Sequence, residues 1–116
     1  HFLKYAPDLD PPQVLPYARD RYRNEVARLY GILDRRLATR AYVAGDYSIA
    51  DMAIWPWAKG WEGQQQDIRR FPRMAAWLDR MAARPAVATG SVVADEVRSP
   101  TGHSREEQGV LFGVRG

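Results

Sequence analysis

The residue types that carry most protein chemistry are scarce in this chain. It has no cysteine, which excludes disulfides, thiolate metal sites and a cysteine nucleophile. Its histidines, His1 and His103, stand at one end and in a polar tail, so neither an imidazole-based triad nor a histidine-rich metal site can form. What remains is guanidinium chemistry. Apart from Lys4 and Lys59, every one of the 17 basic residues is arginine. An arginine fork matches a carboxylate or a phosphate bidentately, although high-GC codon usage produces the same bias without functional meaning. Projected at about 100° per residue, Tyr17, Arg21, Asn24, Arg28 and Arg35 fall on one side of a helix, opposite its apolar stripe. Taken alone, Asn24, Arg28 and Arg35 read as a solvated face. No residue is placed to activate a thiol or a water, so no catalytic residue is assigned in this chain.

These side chains need a scaffold, and the pattern is helical. The apolar positions Leu15, Ala18, Tyr22, Val26, Leu29, Leu33 and Leu37 recur at spacings of three and four, a sustained stripe from about Val14 to Arg40. Pro16 is tolerable only in the first turn, which puts the start near Leu15. Gly45 suits a turn. Ser48 is then an N-cap, and Asp51 three residues later reaches back to its N–H, the acidic form of the capping box. Tyr47 and Met52 are placed for a hydrophobic staple. Asp51 is therefore a structural carboxylate, not a catalyst. The run Met52 to Ala58 is apolar all round, so it is expected to be a core helix buried on every side, kinked or ended at Pro56. A third helix begins with Pro72 at its first position. It presents Met74, Trp77, Leu78 and Met81 on one face and ends at Arg84, before Pro85. A helical turn over 86–89 follows. No strand pattern and no internal repeat appears, so the fold class is all-α.

Length and charge bound the rest. At 116 residues the chain is one domain, with 46% hydrophobic residues and four tryptophans to build a core. No apolar run approaches the roughly 18 residues that a membrane span needs, and no signal peptide is recognisable, so a cytoplasmic protein with no membrane partner is expected. The organisation expected is a Pro- and Asp-rich loop over 1–13, a helical domain over 14–90 and a mobile tail over 91–116. The absence of an initiator Met suggests a fragment or a processed product. A sequence pI near 9.5 raises nucleic-acid binding, but the arginines are interleaved with 14 acidic residues and no recognition motif appears.

The order of elements, a long amphipathic helix, a Gly turn, a capped apolar helix and an Arg/Trp helix ending in Arg-Pro, resembles the C-terminal helical domain of the cytosolic glutathione transferases. The carrying stretches are 42-YVAGDYSIAD-51, 16-PYARDRYRNEVARLYGILDRRL-37, 54-IWPW-57, 71-FPRMAAWLDRMAARPAV-87 and 105-REEQGVLFG-113. The last four look like the bacterial nu class and its Ure2-type relatives. The resemblance implies a helical bundle truncated relative to the family, with the thioredoxin-like N-terminal domain as a missing partner and a homodimer in the full-length form. It implies glutathione as cosubstrate with no metal, and glutathione-dependent reduction of disulfides or peroxides, or conjugation. The chemistry would use glutathione thiols, so the 116-residue piece alone is expected to be inactive. The resemblance places Arg21, with Tyr17, at the glutathione. A kink at Pro56 would open space between helices, and Trp57 and Trp61 with the 64-QQQ-66 connector are the candidates to line it as a second-substrate pocket. Taken by themselves, Trp55 and Trp57 are both expected in the core. A different class of function stays open: similar helical domains serve translation factors and aminoacyl-tRNA synthetases as non-catalytic protein-interaction modules.

Overall fold

The computed structural model describes residues 16–93 together with Val110, and these fall in two compact units, one ending at Arg84 and the other beginning at Pro85. The first unit contains helix α1 (Pro16–Arg36), helix α2 (Ile49–Ala58), a short 3-10 helix (Ile68–Arg70) and helix α3 (Pro72–Ala82). The second contains helix α4 (Pro85–Val92). Among the described residues there is no strand, only an isolated bridge between Tyr42 and Gly45, and the fold is all-α. The expected loop over 1–13 and nearly all of the tail lie outside the described residues.

The core of the first unit is built on α3. Its amphipathic spacing puts Met74, Trp77 and Met81 on one face, and all three are fully buried. Each methionine side chain removed from water contributes roughly 1.5–3 kcal/mol. Tyr30 and Leu37 of the α1 segment, Ala58 of α2 and Phe71 complete the buried set. Tyr30 and Phe71 meet edge to face with ring centroids 5.6 Å apart, the arrangement aromatic quadrupoles favour.

Five expectations are corrected by the structure. Helix α1 ends at Arg36 rather than near Arg40, its last turn closed by the Leu37 N–H on the Leu33 carbonyl. Its buried line runs through Tyr30, Asp34 and Leu37, while Tyr22 and Leu29 of the expected stripe are about half exposed. The two lines are neighbours on the helix, and α3 covers only one of them. Helix α2 is not buried on every side. Ile49, Met52 and Trp57 are 81%, 50% and 74% exposed, because α3 packs against one side only and leaves an apolar face open. Nor does Pro56 end it. The helix continues to Ala58, where the Lys59 N–H bonds the Trp55 carbonyl. A proline withdraws only its own donor and crowds the turn before it, while the N–H groups after it still bond and carry the helix on. Finally, the turn expected over 86–89 is an eight-residue helix, α4, with Ser91 Oγ donating to the Val87 carbonyl.

Candidate functional site

Two carboxylates fix the helices. Asp51 has no solvent exposure. It accepts the Ser48 N–H at 3.1 Å, the Val43 N–H at 3.0 Å and the Trp77 indole N–H at 2.9 Å. The Ala50 N–H in turn donates to Ser48 Oγ at 3.2 Å, so the capping box is formed and also reaches across to α3. Charge-assisted bonds of this kind are what allow a carboxylate to sit in an apolar core. Tyr47 packs on Tyr42 and Arg84 at the mouth of this cap, while Met52, its expected staple partner, is half exposed.

Asp34 does the same for α3. Phe71 stands at the N-cap of that helix and provides no side-chain acceptor. Asp34 Oδ1, from α1, instead accepts the Arg73 and Met74 N–H groups at 2.8 and 3.0 Å, and Oδ2 accepts from the Arg73 guanidinium at 3.2 Å. Sequence reasoning missed this role. The signal was available: a helix opening Phe-Pro must find its cap elsewhere.

The connector between α2 and the 3-10 helix is tied down by two glutamines. Gln64 accepts the Tyr30 hydroxyl at 2.7 Å and donates to the Trp57 carbonyl at 2.8 Å. The buried Gln66 amide donates to the Arg23 carbonyl of α1 at 3.0 Å. Between them Gln65 holds a left-handed φ of 55°. Burial pushes the Tyr30 phenol up to about 12. Trp61 is half-buried in this connector, Trp55 is half-buried with its indole N–H 3.4 Å from the Leu78 carbonyl, and Trp57 stands on the open face of α2.

On the outer side of α1 lies an open groove of about 520 Å³. Its described lining is Tyr17, Asp20, Arg21, Tyr22, Asn24, Glu25 and Arg28, all from this one helix. Tyr17 and Arg21 are thus brought together, one turn apart, with Tyr17 80% exposed. Trp57 and Trp61 are not part of it. The charges in the groove are not equivalent. Glu25 takes Arg28 bidentately at 2.7 and 2.8 Å, and this hydrogen bonding holds the Glu25 carboxyl below the usual carboxylate range, with further attraction from Arg21. Asp20 is paired with Arg19 at 3.4 Å and with Arg23 at 3.6 Å. Arg21 has no carboxylate in ion-pair range among the described residues. The groove therefore offers one uncommitted guanidinium beside an exposed phenol, which suits a carboxylate-bearing ligand. Glu25 was legible in advance, since it stands three residues before Arg28 on a helix. Among the described residues no group of His, Cys, Asp or Glu is placed to hold a metal ion, and no helix is long and apolar enough to cross a membrane.

The chain is similar to known proteins. The chain is 43% identical over 76 residues to disulfide-bond oxidoreductase YfcG of Escherichia coli, covering 65% of this chain and 35% of that protein. It is 37% identical over 101 residues to disulfide-bond oxidoreductase YghU of the same organism, covering 80% of this chain and 33% of the relative. It is also 39% identical over 82 residues to glutathione S-transferase 2 of Schizosaccharomyces pombe, covering 58% of this chain and 36% of the relative. The chain thus spans about a third of the length of these relatives. The family model described as glutathione S-transferase, C-terminal domain, matches residues 12–85, well over half of the chain, and the chain belongs to that family.

Proposed function

We propose that this domain completes the glutathione site of a glutathione-dependent disulfide reductase, with Arg21 as the residue that holds a glutathione carboxylate. The observation that carries the reading is the contrast within one groove: Arg28 is locked by Glu25, whereas Arg21 beside it is exposed and without an ion partner among the described residues. Tyr17, one turn earlier, offers a hydroxyl to the same ligand. In this reading a thioredoxin-like domain contributes further contacts to the glutathione and carries the group that activates the thiol. The open face of α2, with Trp57, is the surface we assign to the second substrate, with Trp61 at its edge. The full-length protein is a cytoplasmic homodimer in this reading, and the 116-residue chain alone has no reductase activity. The resemblance of the chain to two disulfide-bond oxidoreductases supports disulfides over other acceptors.

The test is calorimetric titration of glutathione into the two-domain protein. A charge-assisted hydrogen bond is worth roughly 1.5–3 kcal/mol, or about tenfold to a hundredfold in affinity. Arg21→Ala weakens binding by that factor and leaves the melting temperature nearly unchanged, while Arg28→Ala, which only unpairs the Glu25 carboxylate, weakens binding no more than about fivefold. Equal glutathione affinity in Arg21→Ala and the parent removes Arg21 from the site.

A further inference from the structure

Away from the groove, three arginines close on one loop. Residues 41–47 lead from α1 into the cap of α2. Arg36, in the last turn of α1, donates its Nε–H to the Val43 carbonyl at 2.8 Å. Arg80, from α3, donates to the Ala41 carbonyl at 2.6 Å, and Arg84 donates to the Tyr42 hydroxyl at 3.2 Å. The Arg84 guanidinium lies over the Tyr47 ring, 3.5 Å from its centroid. Those of Arg80 and Arg84 are each 5.8 Å from the centroid of Tyr42. The two tyrosine rings meet edge to face at 5.5 Å.

None of the three guanidiniums has a carboxylate in ion-pair range among the described residues, although Arg28, Arg69 and Arg73 each do. The nearest acids in sequence do not neutralise them. Asp46 and Asp79 are exposed and form no ion pair among the described residues, and Asp51 is buried and committed to N–H donors. Three guanidiniums bonded to consecutive residues of one loop, with no counter-charge in range among the described residues, need an account. Each guanidinium carries five N–H donors and uses one here to anchor itself. The anchoring fixes the side chains before any ligand arrives, so little rotamer entropy is lost on binding. The Tyr42 hydroxyl accepts from Arg84 and keeps its own proton to donate.

We propose that Arg36, Arg80 and Arg84, together with the Tyr42 hydroxyl, form a binding site for a phosphate dianion, free or carried as a small phosphate monoester. A planar monoanion such as a carboxylate occupies one fork, whereas a tetrahedral dianion accepts from forks in several planes and balances more than one charge. This site is independent of the Arg21 groove.

The probes are inorganic phosphate, phenyl phosphate and acetate, titrated at constant ionic strength into the labelled 116-residue chain while the arginine Nε–H resonances are followed. The signals of Arg36, Arg80 and Arg84 shift saturably with phosphate, and that of Arg69, already paired with Asp67, does not. Tighter binding of phenyl phosphate identifies a monoester site, and equal binding a free-phosphate site. Acetate binds at least tenfold more weakly. Arg80→Gln and Arg84→Gln each weaken phosphate binding about tenfold, and Arg84→Lys, which keeps the charge but loses the fork, also weakens it. Shifts that never saturate, shifts of equal size at Arg69, or full affinity in Arg84→Gln overturn the proposal. Should Arg84→Gln fail to fold, Arg36→Gln, on a different helix and exposed, decides the matter by the same criterion.

Discussion

The inner and outer faces of this unit use charge in opposite ways. Inside, Asp51 and Asp34 accept from backbone N–H groups and a core indole, and apart from the Arg73 guanidinium on Asp34 these bonds join one piece of backbone or core to another. Outside, the charges of the α1 groove are solvated and mostly cancel in neighbouring pairs, with Arg21 left over among the described residues. A buried carboxylate is retained only if its partners hold it. An exposed guanidinium is replaceable in stability terms, and its value must lie in what it meets.

The sharpest way to break the inner side of this comparison is Asp51→Ala. It strands the Val43, Ser48 and Trp77 donors in the core, and each unsatisfied buried group costs about 1–3 kcal/mol, so a loss of roughly 3 kcal/mol or more is expected in urea unfolding. Ser48→Ala removes only the acceptor for Ala50 and costs about 1 kcal/mol. Equal midpoints for the two variants would mean that Asp51 is merely a cap. Asp34→Ala comes next at about 2 kcal/mol, since two backbone donors at the start of α3 lose their acceptor. Unfolding followed by near-ultraviolet dichroism measures it, and a loss below 0.5 kcal/mol, the usual scatter of a surface change, would show that water replaces the carboxylate freely.

The smallest effect sharpens the outer side. Glu25→Gln releases Arg28 and removes a negative charge next to Arg21, so glutathione affinity of the two-domain protein rises roughly twofold to fivefold, the range of an exposed pair. The gain shrinks as salt is added. An unchanged or lower affinity would mean that the groove does not bind an anion.

Much of this unit was readable before any coordinates because local rules governed it. The Ser48 cap, the Pro72 start, the Gly45 turn and the Met74–Trp77–Met81 face each depend on residues within one or two turns. The misreadings came where distant partners decide. An all-apolar α2 says that burial is wanted, not which neighbours are present to supply it. Tyr22 and Leu29 likewise belong to a stripe that only packing can divide into covered and open parts. The groove was half legible: helical projection put Tyr17, Arg21, Asn24 and Arg28 on one face. That Arg28 is paired and Arg21 is not, among the described residues, depended on which way Glu25 and Asp20 turn, and spacing alone does not settle that.

The borrowed cap of α3 has a consequence for the order in which the chain folds. Phe71 gives α3 no local start, and the Asp34 oxygen that closes its first turn belongs to a residue 39 and 40 positions away from the two amides it accepts. An isolated helix of 11 residues is marginal in water, since its nucleus is costly and its length is short. Helix α3 therefore consolidates only once α1 is formed and the intervening loop has closed. Asp34 should accordingly show a high φ-value, its loss slowing folding more than it speeds unfolding.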